Sequence, residues 1–517
     1  MTMGRRDRGD VAHRDSGART YFGWQQERVA FLFGLSGQRV AMLAAAVVAG
    51  AWPLSASSIA TAVVAWPVAG VLAVLAFLRV GGRTVDEWAV ATVSYGATRG
   101  RGQHKFISGA FNPSGGNDAA KPMDLPGILA PVRILDARMP DGQPLAIAHH
   151  AIDRTFTAVA CVRFPGIGLV DSARRDQRVA GWGALLAGLC TEGNPITRVQ
   201  ALQRLIPESG AALRRWHADH VHPDAPAVAA DVTAGLLATS TLATSQREAY
   251  LAFTMDARRL ARQIKNAGGG TVGAAAVLTR QLRALAAAIG TADLQVERWL
   301  APRDLAEVIR TAYDPDITRH LADRRAAHQH TATGTPPGVD PGVAGPAAAE
   351  STPGCYLHDG GRSVTYWVHD WPRSQIYSTA LAPLLGEGQH RRAFSLHVEP
   401  LGPREAEREV MRERTSRSVA VRMRQRTGQI VPEHEQAALD RATAQDAERA
   451  AGHGLVRFTA YVTLTVTRPD ELEDACAALE ADAAAARIEL RRMWFAQDVG
   501  FAMSALPLGF GLPRRRW

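Results

Sequence analysis

The chain has 517 residues, more than the roughly 100–200 residues of one domain, so several units are expected. A hydrophobic fraction of 46% and a mean hydropathy of −0.10 exclude a carrier whose whole length lies in lipid. The net charge is +9, which suits anionic lipid or nucleic acid, and only three of the 59 basic residues are lysines, as in proteins of GC-rich bacterial genomes.

The first predicted element is a two-helix transmembrane hairpin in residues 31–80. Residues 40–78 contain no charged side chain, although 21% of the whole chain is charged. Residues 53–58 form a predicted turn between two apolar runs, 40–54 and 59–78. The second run matches the ~20 residues that cross a ~30 Å hydrocarbon core, and the first extends backward or tilts less. A cleaved signal peptide and a buried core hairpin are the alternatives.

Arginines flank the hairpin on both sides and are absent from its turn. By the positive-inside rule both chain ends face the cytoplasm, which predicts a multi-pass inner-membrane protein whose mass is largely cytoplasmic. Residues 1–30 are predicted to be a basic, disordered N-terminus. The flanking arginines are Arg5, Arg6, Arg8, Arg14, Arg19, Arg28 and Arg39 before the hairpin, and Arg79, Arg83, Arg99 and Arg101 after it.

Residues 81–323 are predicted to form a first cytoplasmic α+β domain. Apolar runs at 132–139 and 143–149 flank the turn signal Pro140-Asp-Gly142, which predicts a β-hairpin. Strand-like and helix-like segments then alternate. The strands are predicted at 156–164, 196–205, 250–255 and 294–300, and the helices at 173–190, 225–242, 271–289 and from Pro302.

Residues 324–354 are rich in proline, glycine and alanine and are predicted to be a linker or a long exposed loop. Residues 355–517 then form a second predicted α+β domain. Two strand–helix–strand passages surround a long charged helical region at 403–451, a pattern that favours ferredoxin-like α/β sandwiches. Strands are predicted at 363–368, 394–398, 455–466 and from Ile488, and helices at 374–385 and 469–485.

Two stretches of the chain resemble components of conjugative type IV secretion systems. The arginine-flanked hairpin followed by Gly81-Gly-Arg83-Thr-Val-Asp-Glu87-Trp88 resembles the PrgI-type small membrane protein. The remainder is similar to the N-terminal, non-motor half of VirB/TraC-type conjugation ATPases. This second resemblance rests on 250–254, on 472–476 leading to 488–492, and on Gln497-Asp-Val-Gly-Phe501 before Ser504-Ala-Leu-Pro-Leu-Gly509.

In the ATPase family a motif like the last one comes immediately before the motor domain, whereas this chain stops eight residues after Gly509. Fused proteins of this kind occur beside a separate motor ATPase in actinobacterial conjugative elements. The resemblance therefore implies a membrane scaffold subunit whose partners are a motor ATPase, other secretion-channel subunits and the lipid bilayer, in a homo- or hetero-oligomer.

The chain is not expected to be an enzyme or to bind a cofactor. A P-loop needs a lysine after a glycine-rich loop, and Lys265 precedes Gly268-Gly-Gly270 instead of following it. No GxSxG or HExxH motif occurs. The four cysteines form no CxxC pair, which argues against a zinc knuckle and a dense disulfide framework.

Two other clusters have functional alternatives. His217, Asp219, His220 and His222 are close enough in sequence for metal ligands, but a solvated helix end is favoured and no metal is predicted. The glycines 268–270 before a helix suit an anion site, although a loop between strand and helix is favoured.

The helical segment 404–426 is the remaining candidate for a binding surface. Its second half, 414–426, has no acidic residue, so its arginines are candidates for nucleic-acid or lipid contact. A solvated or protein-docking helix is the competing interpretation, and the lack of aromatic residues weakens a single-strand stacking platform. The alternative function is thus a membrane-tethered DNA-binding protein that delivers the conjugating strand. The candidate residues are Arg414, Arg417, Arg422, Arg424 and Arg426.

Overall fold

The computed structural model describes fourteen stretches of the chain. The predicted N-terminus, residues 1–30, and the first residues of the predicted hairpin lie outside them. The described residues are 37–56, 59–77, 79–80, 83–109, 123–163, 171–207, 211–222, 224–240, 245–331, 336–372, 379–386, 388–426, 433–450 and 454–511.

A pair of apolar helices begins the described chain. Helix α1 is Gly37–Ala56 and α2 is Ile59–Phe77, and the two pack against each other. The predicted turn at residues 53–58 is too long, because α1 continues through Pro53 to Ala56. Pro53 has no N–H to donate to the carbonyl of the preceding turn, and its ring crowds that carbonyl, so α1 continues to Ala56 with one backbone hydrogen bond fewer. Strands β1 (Arg79–Val80) and β2 (Arg83–Thr84) pair, and α3 (Val85–Gly100) follows.

Thirteen strands of the described residues form one antiparallel sheet. Their order is β3-β10-β11-β12-β14-β13-β7-β8-β6-β5-β4, with β15 also paired to β12 and β9 to β6. The strands are β3 (Lys105–Ile107), β4 (Val132–Arg138), β5 (Pro144–His150), β6 (Thr155–Arg163), β7 (Ile196–Pro207), β8 (Ser245–Asp256), β9 (Gln295–Trp299), β10 (Ala348–Ser351), β11 (Tyr356–His358), β12 (Gly361–Asp370), β13 (Arg391–Leu401), β14 (Leu455–Val466) and β15 (Glu489–Arg492).

Helices connect these strands and cover the sheet. They are α4 (Ser172–Leu189), α5 (Ala211–His220), α6 (Ala227–Ser240), α7 (Ala261–Asn266), α8 (Gly270–Thr291), α9 (Pro302–Tyr313), α10 (Ile317–Thr331), α11 (Ala382–Leu385), α12 (Pro403–Arg426), α13 (Glu433–Ala450), α14 (Leu472–Ala485) and α15 (Gln497–Ser504). The sequence therefore predicted a mixed helix and strand composition correctly, including the β4–β5 hairpin around residues 140–142. The helix predicted at 374–385 is described only as the single turn α11.

One helix of the described residues is both long enough and apolar enough to cross a membrane, and it is α8. Its side chains Val277, Leu278 and Leu282 are buried in a core with strands of the sheet. The apolar segments Ala41–Pro53 in α1 and Thr61–Phe77 in α2 are shorter than the apolar helix α8.

The same order of elements occurs twice in the sheet. The first unit, residues 132–313, contains three strands, α4, β7, the pair α5–α6, β8, the helices α7 and α8, β9 and α9. The second unit, residues 348–504, contains three strands, α11, β13, the pair α12–α13, β14, α14, β15 and α15. Strand order is β9-β6-β8-β7 in the first unit and β15-β12-β14-β13 in the second. The strands β7 and β13 pair antiparallel and join the two units.

The two units share one face of the sheet and have separate cores on the other. On the face with separate cores, α4, α7 and α8 cover the strands of the first unit, and α11 and α14 cover those of the second. On the shared side α9 packs against the 3-10 helix Pro341–Val343 that precedes the second unit. In the same way α15 packs against the 3-10 helix Gly127–Leu129 that precedes the first unit. Each unit therefore completes the core of the other.

The predicted linker at 324–354 is not an exposed loop in its described residues. Its first part continues α10, and β10 pairs with both β3 and β11. Val339 and Ala344 are buried beside residues of α9. The expectation was wrong because proline and glycine here build a compact turn: Gly338 has φ +82°, and a Cβ there would clash with Arg303. The predicted domain boundaries stay predictions.

Candidate functional site

The helices α1 and α2 expose an extensive apolar surface. Ten of their large side chains are between 47% and 70% exposed, and they lie along the length of both helices. Surfaces of this extent on one element are the kind that a partner or a membrane covers. These side chains are Val47, Val48, Trp52, Val63, Val64, Trp66, Val68, Val71, Val74 and Phe77.

Small residues and one polar contact hold α1 and α2 together. Ala46 and Ala76 are buried, and a Cβ on Gly50 would lie 3.8 Å from the Cβ of Ala69. The indole N–H of Trp66 donates a hydrogen bond to the backbone oxygen of Gly50, 3.3 Å away. Close approach through small residues, with the polar group satisfied between helices, is typical of helix pairs in lipid.

Helix α3 connects this pair to the second unit. The rings of Trp88 and Tyr95 lie 5.8 and 5.4 Å from the ring of Phe495, which follows β15. The hydroxyl of Tyr95 donates to the backbone oxygen of Ser351 at 3.1 Å. Strand β3, just after α3, then pairs with β10. The helix pair is therefore attached to one unit, at a defined place.

The five candidate arginines all lie on α12, but they do not share one face. Arg422 and Arg426 are exposed, whereas Arg417 and Arg424 are half-buried. Arg414 is exposed and forms an ion pair with Asp446 of α13, at 2.9 Å. Arg417 donates to Glu413 at 2.8 Å. The acid-free run 414–426 is therefore not one continuous basic surface.

The inner side of α12 packs toward α13 and the rest of the unit. Ala406, Val410 and Val421 are buried on this side, and Ala442 is buried on α13. At 3.6 residues per turn Arg414, Arg417 and Arg424 project within about 80° of the buried positions on α12. The structure therefore assigns these three arginines to the packed side of the helical pair.

The outer side of α12 combines arginines with exposed apolar side chains. Met411, Val419 and Met423 are 50%, 56% and 56% exposed. Together with Arg412, Arg422 and Arg426 they occupy an arc of about 120° that contains no acidic residue between positions 411 and 426. Arg412 is not one of the five arginines predicted from the sequence. We call this surface the basic apolar face. It consists of Met411, Arg412, Val419, Arg422, Met423 and Arg426.

The histidine cluster lies at the end of α5 and just beyond it. The ring of His220 stacks on Trp216 with centroids 4.5 Å apart, and its Nδ1 hydrogen-bonds to the backbone oxygen of Trp216. His222 Nδ1 accepts from the backbone N–H of Asp224. Among the described residues, no group of three or more histidine, cysteine or carboxylate side chains is placed to hold a metal ion.

Helix α6, the partner of α5 in the same helical pair, exposes an apolar stripe. Val228, Val232 and Leu236 are four residues apart and are 74%, 58% and 63% exposed. A spacing of four residues puts them on one side of the helix. The helix predicted at 225–242 covers these positions, but the stripe was not among the predicted binding surfaces.

The glycines 268–270 form the turn between α7 and α8. All three have positive φ, and the N–H of Gly269 already donates to the backbone oxygen of Ile264. A Cβ on Gly273 would lie 2.4 Å from that same oxygen, so α8 begins in close contact with α7. These contacts favour a tight helix–helix turn over an anion site.

The segment quoted for the ATPase-like motif is a buried strap, residues 497–511, across the shared face of the sheet. The N–H of Thr365 donates to Gln497 Oε1 at 2.8 Å, and Ser504 Oγ donates to the backbone oxygen of Ala393. Gln200 donates to the oxygen of Leu506 and accepts from the N–H of Gly509, both at 2.8 Å. The strap therefore touches both units.

A buried histidine lies beneath the strap. His397 is fully buried, its Nε2 lies 2.8 Å from the backbone oxygen of Met503, and burial lowers its pKa to about 3. Its Nδ1 has no hydrogen-bond partner in the part of the chain that the structure describes. His397 is therefore a neutral structural side chain, and it donates its single ring N–H to Met503.

No protein-family model matches the chain, and a search of curated proteins finds no relative.

Proposed function

We propose that the chain is an integral membrane scaffold subunit of a conjugative type IV secretion-like apparatus. Helices α1 and α2 form its transmembrane hairpin, both chain ends lie in the cytoplasm, and the two units dock a separate motor ATPase at the cytoplasmic side. Its role is binding, without catalysis of its own.

The apolar surface of α1 and α2 is the observation that carries this proposal. Removal from water stabilises side chains such as valine, phenylalanine and tryptophan by roughly 1.5–3 kcal/mol each, and ten of them are exposed here. Helices of 20 and 19 residues also match the thickness of a hydrocarbon core at 1.5 Å per residue. Their flanking arginines favour a cytoplasmic location of both ends.

The topology of the two units supports a docking role, because each unit is an α+β platform. The order β-α-β-β-α-β, with two helices between its second and third strands, describes each unit from β6 to β9 and from β12 to β15. The strand order 4-1-3-2 in both is that of a ferredoxin-like sandwich, the fold that the strand–helix–strand pattern of the sequence favours. The apolar stripe of α6 supplies a surface suited to a protein partner.

Membrane insertion is tested by fractionation of cells that express the full chain. The wild-type chain is expected in the pellet after extraction with alkaline carbonate, which removes peripheral proteins. Val64→Asp places a charge in the middle of α2 and is expected to move the chain to the extracted fraction, whereas Val64→Leu is expected to leave it in the pellet. Release of the wild-type chain by carbonate would contradict the proposal.

The scaffold role is tested in a conjugating strain with and without the gene. The co-encoded motor ATPase is expected in the membrane fraction only when the chain is present, and DNA transfer is expected to be lost without it. If the ATPase remains membrane-bound and transfer continues unchanged, the scaffold role is wrong.

The second candidate function, delivery of the conjugating DNA strand, is favoured by one observation, the exposed arginines of α12. Phosphate contacts would make such binding steeply dependent on salt. A shift of DNA mobility at low salt that is lost in Arg412→Gln/Arg422→Gln/Arg426→Gln would support it.

A further inference from the structure

Helices α7 and α8, with the turn before them, carry a basic surface that the proposed scaffold role does not use. We propose that this surface binds the phosphate backbone of a nucleic acid, without reading its bases. The inference does not depend on membrane insertion, and it adds a second kind of ligand to the chain. We call the surface the α7–α8 basic face. It consists of Arg259, Arg262, Lys265, Arg280 and Arg283.

The stretch that contains both helices has charges of one sign. Residues 257–292 contain six cations and no aspartate or glutamate, although the whole chain has 50 acidic residues. Five of the six cations are the members of the α7–α8 basic face, and all five are exposed. Protein surfaces usually mix both signs of charge, so one sign across two helices creates a positive potential that attracts an anionic ligand.

The cations of α7 and α8 point away from the sheet. Ile264 of α7 and Leu278 of α8 are buried in the same core, and the two helices contact each other. At 3.6 residues per turn Arg262 projects about 160° away from Ile264. Arg280 and Arg283 project about 150° away from the mean direction of the buried side chains of α8. The outward sides of the two helices therefore form one basic surface.

The protein does not neutralise this surface. On the neighbouring helix α4, Arg178 pairs with Asp293 at 2.6 Å. The sixth cation of the stretch, Arg258, lies 3.6 Å from Asp153 and is left out of the face for that reason. In the part of the chain that the structure describes, no member of the α7–α8 basic face forms an ion pair or a side-chain hydrogen bond. All five charges are therefore available to a ligand.

The chemistry of the face fits phosphates. Four of its five cations are arginines, whose planar guanidinium groups match phosphate oxygens. The side chains exposed between them are small or polar, such as Gln263, Thr271 and Ala284, so a backbone can approach closely. Residues 257–292 contain no aromatic residue on which bases could stack. Contacts with phosphates alone give binding without sequence preference.

The position of the face favours a nucleic acid over the bilayer. Helix α8 contacts β6 and β9 of the first unit, whereas the proposed transmembrane hairpin is attached through α3 beside β15 of the second. Five strand spacings separate β6 from β12, the partner of β15, which is roughly 24 Å along the sheet. Val272 is the one large apolar side chain exposed in residues 257–292, so the face has little to insert among acyl chains.

The experiment measures binding of the full chain, in a nonionic detergent, to a fluorescent DNA duplex of about 20 base pairs by fluorescence anisotropy. The affinity is expected to be the same for duplexes of different sequence. Five phosphate contacts predict a slope of about −4.5 for the logarithm of the binding constant against the logarithm of the salt concentration. The affinity should therefore fall roughly 500-fold between about 50 and 200 mM salt.

A triple variant locates the contact. Arg262→Gln/Arg280→Gln/Arg283→Gln is expected to reduce the magnitude of the slope by about 2.7, since each lost phosphate contact reduces it by about 0.9. The matched control, Arg412→Gln/Arg422→Gln/Arg426→Gln on the basic apolar face of α12, removes the same charge and should leave the slope unchanged. Gel filtration of each variant in the same detergent checks that it remains folded.

The outcomes separate this inference from the proposed function. If the α12 control loses DNA binding and the α7–α8 variant keeps it, the inference is overturned and α12 is the DNA contact. Absence of binding by the wild-type chain at about 50 mM salt also overturns it, whatever acidic proteins or anionic lipid do at this face. Release of the wild-type chain from membranes by carbonate contradicts the proposed function and leaves this inference standing.

Discussion

Leu202 of β7 and Ser395 of β13 lie directly opposite each other where the two units join. Gln200 pairs with His397 on one side of them, and Arg204 pairs with Ala393 on the other. Gln200 also lies opposite Ala252 of β8, and Ala393 lies opposite Thr463 of β14. The strand order is the same when it is read outward from this junction in either direction, so a pseudo-twofold axis passes between β7 and β13.

This joint predicts that the halves of the chain assemble without a covalent link. When residues 1–331 and 336–517 are co-expressed with a tag on one of them, we expect both to purify together in equal amounts, because β7 pairs with β13 and because α9 and α15 each contact a 3-10 helix of the other fragment. Residues 1–331 alone are expected to aggregate, since they expose the edge of β7.

The control for this prediction is a charge at the joint. Ser395→Arg buries an unpaired guanidinium and should abolish co-purification, whereas Ser416→Arg at an exposed position should not. Independent, monodisperse folding of either half would contradict the reciprocal packing.

Burial of neutral His397 predicts a loss of stability in acid. Its pKa in the folded state is about 3, while an unfolded histidine binds a proton near pH 6.5. The unfolded state therefore binds more protons between these values, and the free energy of unfolding falls as the pH drops below 6.5, by about 1 kcal/mol per pH unit. The His397→Gln variant keeps an N–H that can donate to Met503 but has no imidazole to titrate. Its free energy of unfolding should therefore fall less steeply as the pH is lowered.

The measurement is urea unfolding of both proteins in detergent at pH 7, 6 and 5, followed by circular dichroism. Parallel pH dependence of wild type and His397→Gln would show that His397 does not titrate in this way.

The contact of Gly50 with Ala69 predicts an asymmetry between two glycines of the helical hairpin. Gly50→Leu must push α1 and α2 apart, because the Cβ alone would already touch Ala69, whereas a Cβ on Gly70 meets nothing within 4 Å. We expect Gly50→Leu to lower the thermal unfolding midpoint in detergent by several degrees and Gly70→Leu to leave it nearly unchanged. Equal midpoints for the two variants would mean that this helix contact is not formed.

Under the proposed scaffold role, the apolar stripe of α6 is the expected docking surface for the motor ATPase. Val228→Ser/Val232→Ser/Leu236→Ser removes the exposed apolar atoms without burying a charge, and it should lower the fraction of membrane-bound ATPase at least threefold. Ala230→Ser/Ala234→Ser, on the opposite side of the same helix, should not. Unchanged ATPase recovery with the triple variant would exclude α6 as the docking surface.

Local patterns in the sequence predicted the elements well. The strand expected at 455–466 has the bounds that the structure gives β14, because eight of its 12 residues are β-branched or aromatic and this local composition needs no distant information. Contacts between distant segments were beyond such reasoning. Gln200 and Gly509 are 309 residues apart, and nothing near either one reveals the bond between them.

The repeat was hidden for the same reason. Its units share an order of elements and a strand pairing, while the helical pairs inserted in them differ in length and charge. On α12 the candidate arginines were those of the acid-free stretch 414–426. This stretch includes Arg414 and Arg417 and leaves out Arg412. A projection at 3.6 residues per turn would have separated the outward arginines from the packed ones.

The two units, joined by the pairing of β7 with β13, have the arrangement of a symmetric dimer within a single polypeptide. A chain that contained one such unit would close the same sheet by pairing its second strand with that of an identical copy. In an identical pair every substitution appears in both copies, whereas in one chain with two units each unit can change independently. Leu300 after β9 is fully buried, whereas the ring of Phe495 after β15 contacts the rings of Trp88 and Tyr95. The second unit therefore holds α3 and the apolar helix pair, and the corresponding place in the first unit does not.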